Sequence, residues 1–167
     1  AGTIQNKMIL VKDADSYHNV VAPKILGALN IEKISAKCMP GFIMYYSSIV
    51  ALEGATGEVD YAMANRFLEE FATYKNTEQT GTIYISISWP FWKEGGMKLP
   101  EKLIKKMSEN EVWPISNKDG ITVLETVFSN LESTIVFNGS SKGISSFFEN
   151  WKLHKPIIPK SNSNNSF

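Results

Sequence analysis

Cysteine is almost missing from the 167 residues: Cys38 stands alone, so no internal disulfide can form. That usage belongs to a reducing compartment, and the expected setting is the cytoplasm. Cys38 is followed by Met39-Pro40 and has no thiolate-stabilising neighbour, which reads as an inert thiol. His18 and His154 lie far apart and lack metal-ligand spacing. Seventeen basic and seventeen acidic residues cancel, which argues against a nucleic acid or an anionic membrane as partner. No run of about eighteen apolar residues occurs, so no spanning helix is expected. No secretory leader opens the sequence, and no internal repeat divides it. The G-x-G-x-x-G fingerprint of a dinucleotide-binding turn is also lacking.

What is there is an ordinary globular composition, 43% hydrophobic, with four tryptophans and nine phenylalanines to pack. The length suggests one domain. Its most informative stretch is residues 47–65. The apolar run Phe42-Ile43-Met44-Tyr45-Tyr46 reads as a buried strand ending in Ser47-Ser48. A loop punctuated by Gly54 and Gly57 follows. Tyr61 then opens a helical pattern, and Asn65, four residues on, shares its face. A serine at a strand end and a tyrosine on the next helix can aim two hydroxyls at one carbonyl oxygen.

Around this stretch the pattern alternates. A long helix is expected over 13–36, capped by Asp13 or Asp15, with Pro23 kinking it or tightening one turn, and with Tyr17, Val20, Val21, Lys24, Ile25, Ala28, Leu29 and Ile34 along its apolar side. Strand 42–47, helix 58–75 and strand 82–89 make a βαβ unit, which is normally parallel. Phe67, Leu68, Phe71 and Ala72 should face inward from its helix. Helices over 99–109 and 118–129, a short strand over 133–137 and a helical stretch over 144–151 complete the order. Gly120 should weaken the first turn of the second of these helices. Residues 160–167 are Ser/Asn-rich and read as a tail.

Several ordered motifs resemble one family. Ser48 precedes Tyr61-Ala62-Met63-Ala64-Asn65 by thirteen residues, Ala22-Pro23-Lys24 with Gly27 lies upstream, and Ile87-Ser88-Trp89-Pro90-Phe91-Trp92-Lys93-Glu94-Gly95-Gly96-Met97 lies downstream. Together they are similar to the ketoreductase domain of modular polyketide synthases, a branch of the short-chain dehydrogenase/reductases. The resemblance covers roughly residues 1–130. It implies an α/β fold with a Rossmann-like parallel sheet, represented by its C-terminal portion. Residues 1–152 would be the catalytic portion and residues 153–167 a linker or flexible tail.

The resemblance also implies a reaction: NADPH-dependent reduction of a β-ketoacyl thioester on an acyl carrier protein. Lys24, Ser48, Tyr61 and Asn65 would be the catalytic residues. Tyr61 would donate the proton, Ser48 would hold the carbonyl oxygen, and Lys24 would supply the cation that favours a phenolate. An unperturbed phenol, with a pKa near 10, is a weak acid at neutrality, and a nearby ammonium lowers that value. Asn65 would hold a water or backbone group in the proton relay. Lys24, Tyr61 and Pro90 would touch the cofactor, and Met97 with helix 99–109 would form a lid over substrate. Lys98, Lys102, Lys105 and Lys106 read as a solvated face, with an acidic carrier protein as the alternative.

Two family signatures of product stereochemistry are absent. Ile4-Gln5-Asn6 stands where one type carries acids, and Glu53 stands where the other carries tryptophan. A silent structural domain and a free-standing ketone reductase are therefore the alternative readings. The resemblance also implies an N-terminal Rossmann half bearing the phosphate-binding turn. Without it, strand 42–47 would lack a parallel neighbour, with Ile43 and Tyr45 expected to be exposed along the open edge.

Overall fold

The computed structural model describes residues 5–97 and 99–153. Ile4, Lys98 and the expected tail beyond residue 153 lie outside these described residues. Among the described residues six α-helices and three strands occur, and all but α2 follow the expected order: α1 Ala14–Cys38, β1 Phe42–Ser48, α2 Val50–Glu53, α3 Val59–Thr77, β2 Ile83–Trp89, α4 Glu101–Glu109, α5 Asn117–Asn130, β3 Thr134–Ile135 and α6 Ser141–Leu153. The strands form one parallel sheet in the order β1-β2-β3. This is the parallel α/β arrangement that the alternation implies.

Local chemistry explains the boundaries. Asp13 caps α1, its carboxylate accepting the Ser16 backbone N–H at 2.7 Å. Pro23 sits within α1, and the helix is continuous from Ala14 to Cys38. Ser116 caps α5 and accepts from the Asp119 N–H. The short α2, absent from the sequence reading, is one turn closed by Gly54 at φ +68°, a conformation that favours glycine.

The sheet is covered on both faces, as parallel sheets are. On one face Ile43, Tyr45 and Tyr84 meet Ala28 of α1 and Leu68 and Ala72 of α3, with Phe67 and Phe71 packed alongside. On the other face Ile85, Ile87 and Trp89 meet Ile115, Val127 and Val136. Ile43 and Tyr45 are therefore buried, contrary to expectation. They point under α1 and α3 rather than outward. The exposed side chains of β1 are Phe42 and Tyr46, at 40% and 50%. On α1, Val20 and Ala28 are buried while Tyr17, Leu29 and Ile34 are exposed.

Two polar ties set the position of α3. Glu69 accepts hydrogen bonds from Ser47 at 2.7 Å and from Ser88 at 2.6 Å, both on its Oε1. Ser47 and Ser88 are register partners on β1 and β2, so one carboxylate spans the ends of two strands. At the opposite end of the sheet, Glu32 of α1 pairs with Lys75 of α3 at 2.6 Å and accepts from the Tyr84 hydroxyl at 2.5 Å.

Gly120 has a packing reason. A Cβ there would fall 2.2 Å from the ring of Trp92, which in turn packs on Trp89 at 4.9 Å. The glycine lets α5 approach the segment that follows β2.

Candidate active site

β1 and β2 end side by side, with Ser48 opposite Trp89. The start of α3 lies across these ends, and α1 passes alongside. A cavity of about 540 Å³ opens there. Lys24, Ser48, Tyr61, Pro90 and Met97 all line it. Five of the six expected site residues are thus gathered at one place from α1, β1, α3 and the segment after β2. Asn65 is the exception: it is fully buried behind Tyr61 and does not line the cavity. Its Nδ2 donates to the Tyr61 carbonyl at 2.7 Å, while its Oδ1 has no hydrogen-bond partner.

Burial shapes the acid–base character of the site. Tyr61 is buried, and desolvation pushes its phenol above the ordinary value near 10. Hydrogen bonding to the Ser48 and Asn65 side chains pulls the other way, and the charge of Glu58 adds to the rise. Lys24 is held down to about 8 from an ordinary 10.5, because burial disfavours its ammonium. Its Nζ donates to the Tyr46 carbonyl at 2.7 Å and lies 5.9 Å above the centre of the Tyr61 ring. The ammonium therefore lies over the tyrosine ring. Ser48 Oγ accepts from the Val50 N–H at 3.3 Å, and its hydroxyl lies beside the Tyr61 phenol.

Sequence reasoning passed over Glu58, which lines the cavity three residues before Tyr61, and Glu69, which lies two turns beyond it on the same helix. The i, i+4, i+8 spacing of Tyr61, Asn65 and Glu69 was the available signal for the second. A neighbouring cavity of about 710 Å³ shares Ile49, Pro90 and Phe91 with the first. Leu52, Leu103, Met107, Phe137 and Phe147 make it apolar, and Glu53 and Lys106 add charge. Glu53 is pushed above the usual carboxylate range by burial, against the pull of Lys106.

A parallel sheet with a serine, a tyrosine and a lysine lining one cavity at its strand ends is the arrangement that the resemblance to the short-chain dehydrogenase/reductases implies. Comparison with known proteins gives the narrower class. A family model described as the KR domain matches residues 1–94. The polyketide synthase PksN of Bacillus subtilis is 33% identical over 129 residues, covering 74% of this chain and 2% of the synthase. Polyketide synthase PksL of the same organism is 26% identical over 162 residues, 95% of this chain and 3% of that protein. A crystal structure of a ketoreductase domain from the bacillaene assembly line superposes with a TM-score of 0.80 at 25% identity, over 88% of this chain and 37% of that one. The chain belongs to the ketoreductase domain family of polyketide synthases. It spans a small fraction of the curated synthases and just over a third of the bacillaene ketoreductase.

The depressed value for Lys24 is directly measurable. Nuclear magnetic resonance of reductively methylated lysines should show one resonance, lost in Lys24→Arg, that titrates near 8. A Lys24 resonance titrating with the exposed lysines would show that its ammonium is fully solvated.

Proposed function

We propose that this chain is the catalytic portion of an NADPH-dependent β-ketoacyl-carrier-protein reductase acting in polyketide biosynthesis. One observation carries the reading: Lys24, Ser48 and Tyr61 line a single cavity, delivered by three separate elements. The fold of the family implies a nicotinamide cofactor, and the residues present suit its reactive end. Trp89 and Phe91 line the cavity with aromatic surface, and Lys24 keeps two ammonium protons beyond the one given to Tyr46. Lys24, Tyr61 and Pro90 would hold the nicotinamide and its ribose. When bound, the cofactor supplies the hydride that reaches the β-carbon.

The chain's own residues manage the charge that then builds on oxygen. Ser48 donates a hydrogen bond to the carbonyl oxygen, acting as half of an oxyanion hole. Tyr61 donates the proton and is left as a phenolate. Lys24, above the ring, stabilises that phenolate. Asn65 fixes the backbone at Tyr61, and its free Oδ1 suits a bridging water in the proton path. The adjoining apolar cavity offers room for the acyl chain, and Met97 with α4 would close over it. The exposed lysines of α4 would face the acidic carrier protein. No described helix is long and apolar enough to cross a membrane, and a cytoplasmic setting fits the single cysteine.

In the complete ketoreductase domain, Tyr61→Phe should keep cofactor binding and lose roughly 10²–10⁴ in turnover of a β-ketoacyl thioester, the usual worth of a positioned general acid. Near-normal turnover would remove Tyr61 from the mechanism.

A second proposal concerns the open strand. Among the described residues β1 has one strand neighbour, β2. A parallel edge of this length normally pairs. We infer that an N-terminal Rossmann half pairs with β1 and brings the pyrophosphate site, which in this fold follows the first strand. Calorimetry should find no tight NADPH binding by residues 1–167 alone and clear binding by the complete domain. Tight binding by the 167 residues alone would contradict this.

A further inference from the structure

Glu58 is a carboxylate that the family motifs leave without a role. It lines the same cavity as Lys24, Ser48 and Tyr61. Among the described residues lining that cavity, Lys24 and Glu58 are the two charged ones. Glu58 is the N-cap of α3, yet its side chain makes no capping hydrogen bond. Its carboxylate is therefore not committed to the helix.

The surroundings hold Glu58 in place. Asp60, in the first turn of α3, pairs with Lys12 at 2.5 Å, and both side chains are almost fully buried, at 1% and 3% exposed. Asp60 also accepts the Tyr61 N–H at 2.9 Å, and Lys12 donates to the Gln5 carbonyl at 2.9 Å. The Lys7 N–H donates to the Gly57 carbonyl at 3.1 Å. Gly57 has φ +81°, and a Cβ there would stand 3.4 Å from the Lys7 backbone. The segment from Gln5 to Lys12 is thus fastened to the residues just before Tyr61 at two points. Asn6, from the same segment, hydrogen-bonds Glu58.

We propose that Glu58 is the counter-charge to Lys24 at Tyr61, the two side chains sharing one cavity with the phenol and acting on it in opposite directions. The other charged groups nearby cancel, because Asp60 and Lys12 form a closed pair. Ser48 from β1 and Asn65 from α3 face the tyrosine as neutral groups. An ionised Glu58 opposes formation of the phenolate, and Lys24 favours it. Burial raises Glu58 above the usual carboxylate range, while Asn6 and Lys12 draw it back toward the ionised form. Below about pH 8, where Lys24 keeps its charge, the acid strength of Tyr61 is then a balance between one charge from α1 and one from the start of α3, and above it Glu58 acts alone.

The inference builds on the reading of Tyr61 as proton donor, but its test does not need turnover. In the complete ketoreductase domain, tyrosine labelled at the phenolic carbon reports ionisation by nuclear magnetic resonance, and Tyr61→Phe identifies the signal. Glu58→Gln should lower the Tyr61 midpoint by on the order of one pH unit, since the opposing anion is gone. Glu58→Asp, which keeps the charge, should stay nearer the parent. Lys24→Gln should leave the midpoint nearly in place, because the Lys24 ammonium is already lost near 8, and Lys24→Gln with Glu58→Gln should lower it as Glu58→Gln does. Where the domain reduces a β-ketoacyl thioester, the alkaline limb of its rate profile should move down in Glu58→Gln. An unchanged or raised midpoint in folded Glu58→Gln, or a double variant no different from Lys24→Gln, would overturn the proposal. A domain that reduces no thioester would instead remove the reductase reading and leave the titration to decide this one.

Discussion

The site depends on how α3 is held across the ends of β1 and β2. Glu69 makes that constraint: one buried carboxylate oxygen accepts the hydroxyls of Ser47 and Ser88, which face each other in register on neighbouring strands. Removing one partner of such a buried network leaves a charge or a hydroxyl unpaired, at a cost of about 1–3 kcal/mol or more. The geometry is therefore stiff. Ser48 is the next residue after Ser47, and Tyr61 lies two helical turns before Glu69 on the same face. Fixing Glu69 to the strand ends fixes the distance between the serine and the tyrosine hydroxyls. Asn65, between them on the helix, adds a bond to the Tyr61 carbonyl. The same face of α3 thus carries the anchor, the brace and the reacting group in turn.

Electrostatics works against this arrangement before it works for it. Burial raises the phenol of Tyr61 and lowers the ammonium of Lys24, so each group is pushed toward its neutral form. A site that reduces a ketone must reverse part of that tendency as charge develops. Preorganised donors do so most effectively where water is excluded. Lys24 stands above the ring, Ser48 beside the phenol and Glu58 in the same cavity. Lys12 and Asp60, both almost fully buried, contribute no net charge as a pair but tie the preceding segment to the helix start.

Much of this was legible in the sequence because it is local. The apolar run before Ser47-Ser48, the helical periodicity after Gly57 and the β-branched run ending at Trp89 gave β1, α3 and β2 to within a residue or two. The motif spacings gathered Lys24, Ser48 and Tyr61, and the structure places them in one cavity. Tertiary partners were not legible. The loop after Ser48 hides the single turn α2, because Val50–Glu53 is too short to show a period. Gly120 looked like a defect in α5 and is a contact with Trp92. Ile43 and Tyr45 looked like edge residues, yet their alternation points them beneath α1 and α3. Glu58 and Glu69 are ordinary acids in a helical pattern until the strand ends and the cavity are set beside them.

The central claim is that the cavity at the ends of β1 and β2 directs hydride to a ketone while Tyr61 supplies the proton. It is tested most directly by incubating the complete ketoreductase domain with a β-ketoacyl thioester and NADPH carrying deuterium at the transferable position. Mass spectrometry should find one deuterium at the β-carbon of the β-hydroxyacyl product, with product formation depending on Tyr61. Unreduced thioester after prolonged incubation with folded, cofactor-bound domain would contradict the account.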